Sequence, residues 1–277
     1  MSVNSYLEDL AKKAIVRDDE KEGIEKSIET IFQRLKNYDS DKNCIGRNRI
    51  NKYFIFGSYK RGIIIPREFD DNSDIDIMVV FGKKFKDSYG FTYTSGMKKP
   101  QTYLNYLKNF AESRYSRSEI HQSHPAIVLE LNHIKFELVP AISDDFENFQ
   151  IPTKQSSYQD WIWTNPNDLD GTLCGNQTLR KLVRIVKIWN AKQGYIYLSY
   201  ELEKKIVSYN NYFNGNLANY FYSFCEILSI NCDLPQWKID KINTLKNKVQ
   251  KAKIFDDSSE IESLFGVESG WNLLKRL

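Results

Sequence analysis

A chain of 277 residues, 41% apolar and 27% charged, is long enough for two cores and too apolar to stay disordered. Its 39 basic and 36 acidic side chains leave a net charge of +3, which excludes a histone-like polycation and permits only local basic patches. No apolar run approaches the roughly 18 residues of a membrane span, and the opening MSVNSYLEDLAKK lacks the hydrophobic stretch of a secretory signal. The expectation is a cytoplasmic protein with no membrane partner. Cys44, Cys174, Cys225 and Cys232 form no CxxC pair, and with His121, His124 and His133 they make no zinc-ligand grouping, so reduced thiols are expected.

In chain order, residues 3 to 16 and 20 to 37 read as helices, the second from Ile24, Ile28, Ile31, Phe32 and Leu35 at helical spacing. Tyr53 to Phe56 is a short strand closed by Gly57-Ser58, with a turn or short helix through Lys60 and Arg61. Residues 63 to 73 read as a loop, and Asp74 to Phe81 (DIDIMVVF) as the strongest strand. A helix is expected over 100 to 115, with His121 and His124 at the surface in a loop after it. Paired strands follow at 126 to 132 and 134 to 140, the second ended by Pro140. WIWTNPNDLDG reads as a turn-rich connector. From Asn176 onward the patterns are helical, at 177 to 193, 198 to 209, 215 to 229, 237 to 252 and 258 to 276. The fold class is therefore α+β: a small mixed sheet flanked by helices, then an all-helical half. The expected division is a core at 1–155 and a helical domain at 156–277, packed closely around a shared cleft.

The chemistry is carried by carboxylates. In a strand side chains alternate, so Asp74 and Asp76 share one face while Ile75, Ile77 and Val79 take the other. Two like charges in a half-buried place repel unless a cation lies between them, and an oxygen-loving Mg²⁺ or Mn²⁺ suits them. Glu137 lies opposite the apolar face of Ile134, Phe136 and Leu138, on a strand that could neighbour the first. Three acids on adjacent strands can hold two ions for an in-line phosphoryl displacement. Alone, DxD reads equally as a solvated strand edge, and Glu137 as an exposed strand residue. Gly57-Ser58 adds a turn where backbone N–H groups and a hydroxyl can meet a phosphate. The order of strand, Gly-Ser, DxD strand and later acid strand is more specific than any of its parts.

FGSYKRG, SDIDIMVV and FELVPA together resemble the polymerase-β-like nucleotidyltransferase superfamily. Within it the chain is most similar to the bacterial cyclic-oligonucleotide synthases, relatives of animal cyclic GMP-AMP synthase and oligoadenylate synthase. LRKLVRIVKIWN (179 to 190) resembles their spine helix, and LSYELE (198 to 203) the Ser-Tyr motif that follows. The resemblance implies a polymerase-β-like core. It also implies Asp74, Asp76 and Glu137 as catalytic residues and ligands of two Mg²⁺ or Mn²⁺ ions. Gly57, Ser58 and Arg61 would stand at the donor triphosphate, Lys187 and Ser199 at its distal phosphates, and Tyr200 on the donor base. Glu137 departs from the Asp of many members; the extra methylene reaches further out. No zinc-ligand insertion of the animal DNA sensor is present.

The implied function is joining NTPs, ATP and GTP among them, into a cyclic di- or oligonucleotide second messenger in antiphage signalling, read by a separate effector protein. The rival readings are nucleotide addition to an RNA, DNA or protein acceptor, including linear products, and a non-catalytic nucleotide-binding module. A nucleic-acid partner is the less favoured expectation: the basic run Lys238, Lys241, Lys246, Lys248, Lys251 and Lys253 reads first as a solvated helix face. Oligomeric state is not legible in the sequence.

Overall fold

The computed structural model describes residues 1–40, 50–82, 84–86, 92–94, 98–144, 148–153, 160–228 and 234–266. Cys44, Cys232 and the stretch 267–276 of the last expected helix lie outside them. Elements follow in the order α1 (Val3–Lys13), α2 (Asp18–Ser40), β1 (Ile50–Phe56), α3 (Gly57–Lys60), β2 (Asp74–Phe81), β3 (Lys84–Lys86), β4 (Thr92–Thr94), α4 (Pro100–Arg114), β5 (Glu119–Ser123), β6 (Ala126–Glu130), β7 (Lys135–Ser143), β8 (Phe149–Pro152) and β9 (Trp161–Thr164). Helices α5 (Asp170–Gly175), α6 (Gln177–Lys192), α7 (Ser199–Ser208), α8 (Leu217–Ile227), α9 (Gln236–Phe255) and α10 (Ser259–Glu262) complete the order. The chain divides into a sheet unit, Arg17–Arg61 with Asn72–Asp168, and a helical unit, Met1–Val16, Gly62–Asp71 and Leu169–Leu277.

In the sheet unit, seven strands pair in the order β1-β2-β7-β6-β5, with β8 and β9 running on from β7. β2 and β7 are parallel; the other pairs in this sheet are antiparallel. Alternation gives the sheet two faces. Ile75, Ile77, Val79 and Phe81 are buried on one, where Phe81 stacks on Tyr103 of α4 at 4.6 Å and Tyr53 meets Phe32 of α2 at 4.7 Å. The other face carries Asp74 and Asp76 at the start of β2. Further along it is the apolar cluster of Met78, Val80, Ala141 and Phe149, with Phe54, Phe56 and Ile151.

Three sequence expectations change here. Pro140 does not end its strand: β7 runs on to Ser143, with Pro140 opposite Val79. On its other side β6 pairs only as far as Leu138 and β8 only from Ile142, so Pro140 falls where that edge makes no ladder bond, and its missing N–H costs nothing. WIWT is a strand, β9, paired to β8, and residues 119–123 form a hairpin strand holding His121. Alternation over four residues was too short to stand out from the turn residues beside it.

The helical unit is built on one core joining α1, the 62–71 segment and α5 to α10. Val3, Leu7, Leu10 and Ala11 bury α1 against the residues of α6, and Ile63 and Ile65 enter the same cluster. The single boundary expected near residue 155 is therefore replaced by an interleaved one: α1 and residues 62–71 belong with the helices, and β9 with the sheet. Helix α6 starts from Asn176, whose side chain accepts from the Leu179 N–H at 2.9 Å. The helix expected at 258 to 276 begins as α10 and gives way to turns by Ser263.

Candidate active site

Asp74, Asp76 and Glu137 are brought together by strand register. Asp76 lies opposite Glu137 and Asp74 opposite Lys135 across the parallel β2–β7 pair. Neighbouring strands lie about 4.8 Å apart and alternate residues of one strand about 6.6 Å apart. All three acids are half-buried on the same face, while Ile75, Ile77, Phe136 and Leu138 are buried on the other. Burial, with the Asp74 charge second, pushes the Glu137 carboxyl up to about 7; Lys135 pulls it the other way.

The Gly-Ser corner packs against this ridge. Phe56, the last residue of β1, lies opposite Asp76, so the chain turns into α3 beside that carboxylate. Gly57 is buried with φ +71°, and a Cβ placed on it would lie 1.9 Å from Oδ2 of Asp76. No side chain fits there, so the position requires glycine both for its backbone conformation and for its distance from the acid. Ser58 is partly exposed next to it. Arg61, expected at the donor triphosphate, is 6% exposed at the C-terminal end of α3. Lys60 stays exposed and donates to Oδ1 of Asn167.

The donor set is carboxylate oxygen alone, the chemistry that suits Mg²⁺ or Mn²⁺ and not a thiol- or imidazole-preferring metal. Among the described residues, no group of three His, Cys, Asp or Glu side chains is arranged to hold a metal ion as it stands. The residues fit a hard divalent ion by type, face and register.

The remaining expected residues lie in the helical unit. In helix α6, Arg184 and Lys187 are buried together with the apolar residues around them. Nζ of Lys187 donates to Oε1 of Glu203 on α7 at 3.1 Å, and both side chains are under 10% exposed. Arg184 donates to the Gly62 carbonyl at 2.9 Å, its buried Nε makes no hydrogen bond, and burial with Arg180 nearby lowers its pKa to about 10. Ser199 opens α7 without capping it, and Tyr200 is 47% exposed. Of the basic run on α9, Lys238 donates to the Ile196 carbonyl, Lys248 to Ser263 and Lys253 to Glu226, so half of that face is engaged within the unit.

Sequence reasoning missed three residues here. Lys135 was within reach, since the period-two argument that put Glu137 on the acid face also puts Lys135 there. Glu203 sits one turn past Ser199 and pairs through a tertiary contact. Arg184 carries no local signal that separates a buried cation from a solvated one, since its burial depends on what packs over it.

Residues 1–173 match the family model of the Second Messenger Oligonucleotide or Dinucleotide Synthetase domain. The fold matches Vibrio cholerae DncV in its apo form with a TM-score of 0.70 at 10% identity, over 94% of this chain and 92% of that one. It matches CdnC of E. coli MS115-1 with ATP at 0.66 and 11% identity, over 96% and 98%. For the Bradyrhizobium diazoefficiens CD-NTase CdnG in complex with GTP the values are 0.67 and 10%, over 95% of each chain. At such identities the likeness is one of fold. Among curated proteins none matches the chain.

Proposed function

This chain belongs to the Second Messenger Oligonucleotide or Dinucleotide Synthetase family, and from that membership we propose a template-independent nucleotidyltransferase. It would join NTPs into a cyclic di- or oligonucleotide in antiphage signalling. The observation that carries the reading is the register of β2 and β7, which sets Asp76 beside Glu137 on one face with Asp74 next along it, against a corner open only to glycine. Solved relatives hold ATP or GTP, which supports these as substrates here. A structure of CdnC with HORMA-deltaN supports a protein partner as part of such systems.

Asp74, Asp76 and Glu137 would hold two Mg²⁺ or Mn²⁺ ions, which supply charge neutralisation at a triphosphate and a more acidic acceptor hydroxyl. The backbone N–H groups of the Gly57-Ser58 corner and the Ser58 hydroxyl would bind phosphate oxygens, while the missing Cβ of Gly57 leaves room for the Asp76 carboxylate. The Glu137 carboxylate would accept the proton of the attacking ribose hydroxyl. Attack at the α-phosphorus releases pyrophosphate, and the second ring-closing attack repeats the chemistry on the linear product. Positioning and electrostatics supply most of the acceleration. The family resemblance assigns distal phosphates to Lys187 and Ser199 and the donor base to Tyr200. The exposure of Tyr200 and the uncapped start of α7 support two of these; a phosphate on Lys187 competes with Glu203.

The test is incubation of the purified protein with labelled NTPs and Mg²⁺, with phosphatase-resistant products resolved by mass spectrometry. Cyclic product from wild type, reduced by about 10²-fold or more in Asp76→Asn, is expected. Linear, phosphatase-sensitive product would shift the assignment to acceptor tailing. Equal product from wild type and Asp76→Asn would overturn the site.

A further inference from the structure

The acid ridge contains a cation. Lys135 lies in register with Asp74 and two residues before Glu137, and side-chain alternation puts it on their face. Its ammonium donates to Oδ1 of Asn72 at 3.2 Å, two residues ahead of Asp74, so the strand that carries the third acid is tied to the approach of the strand that carries the first. The side chain is partly exposed, and its charge reaches Glu137 through space against the opposing effects of burial and Asp74. The ridge therefore bears three carboxylates and one ammonium rather than three carboxylates alone.

We propose that Lys135 is a positioning residue that weakens the binding of bare divalent metal, so that metal is taken up together with the triphosphate. The inference rests on the nucleotidyltransferase reading and deepens it. Without Lys135, a bare divalent cation meets only the acidic side chains of the ridge. The ammonium of Lys135 adds a positive charge at about strand spacing, which lowers the attraction by an amount that salt screens. A nucleoside triphosphate brings its own negative charge and restores the balance, so the metal–nucleotide complex loses less than the free ion. The hydrogen bond to Asn72 anchors the ammonium beside the acid face, where it opposes a free cation.

The experiment is a titration of Mn²⁺ alone into the full chain, with free Mn²⁺ followed by electron paramagnetic resonance. It is then repeated with non-hydrolysable ATP and GTP analogues. Lys135→Gln is expected to bind Mn²⁺ alone about three- to tenfold more tightly than wild type, and the gain in affinity on adding analogue to shrink by a similar factor. Lys135→Arg keeps the wild-type pattern, and raised salt narrows the gap between Lys135→Gln and wild type. Thermal melts of each variant without metal confirm that it is folded. If Lys135→Gln binds Mn²⁺ no more tightly than wild type while analogue-dependent uptake is intact in both, the role of Lys135 is overturned and the enzyme reading stands. If no protein takes up Mn²⁺ with or without either analogue, the enzyme reading falls, and the role of Lys135 with it.

Discussion

At the scale of single residues, Gly57 and Glu137 hold the tightest constraints. A Cβ on Gly57 meets the Asp76 carboxylate at 1.9 Å, so Gly57→Ala must displace either the corner or the acid. Displacements near 1 Å lower catalysis by about 10²-fold, and steady-state kinetics of this variant should show at least that loss. Glu137 has a second, measurable consequence. Its carboxyl is raised to about 7 in the fold against an ordinary value of 4.5. The folded state therefore holds a proton that the unfolded chain releases between those values. The associated stability is fully present below about 4.5 and is lost as pH rises through 7. Denaturant melts without metal should show wild type losing up to about 3 kcal/mol over that window, and Glu137→Gln losing less. Identical pH profiles for the two proteins would refute it.

At the scale of elements, buried charge joins α6 to α7 and a side-chain cap starts α6. Removing one member of a buried ion pair strands the other, so Glu203→Ala should destabilise the protein by about 3–5 kcal/mol in urea unfolding. Asn176→Ala removes the acceptor for the Leu179 N–H and should lower stability by about 1 kcal/mol. Periodicity placed α2, α4, α6, α7 and α8 within a few residues of their ends, because each has an apolar stripe facing a core. It failed at Pro140 and at β9 because strand length depends on which neighbour needs a hydrogen bond at each position, and neighbours are a tertiary property.

At the scale of the whole molecule, the chain enters and leaves its two units several times, at residues 16–17, 61–62, 71–72 and 168–169. A fragment of residues 1–173, the extent of the family match, keeps α1, Ile63 and Ile65 but lacks α6 to α10, against which they are buried. It should aggregate or populate a partly folded state by circular dichroism and size-exclusion chromatography, whereas the full chain remains folded. A monomeric fragment with cooperative melting would show that the helical core is not needed to keep those residues buried. No described helix is long and apolar enough to cross a membrane.

Local pattern alone determined which residues could act. Alternation placed Asp74 and Asp76 on one face, composition marked Gly57-Ser58 as a corner, and motif order indicated the family, since these depend on residues a few positions apart. Tertiary structure decided which strands touch. Only the parallel pairing of β2 with β7 sets Asp76 opposite Glu137 and Asp74 opposite Lys135, across 61 residues in each pair. It also turned Arg61, Arg184 and Lys187 inward, because burial of a charge depends on what packs over it, and the partner that makes that burial tolerable, as Glu203 does for Lys187, is supplied by a different element of the fold.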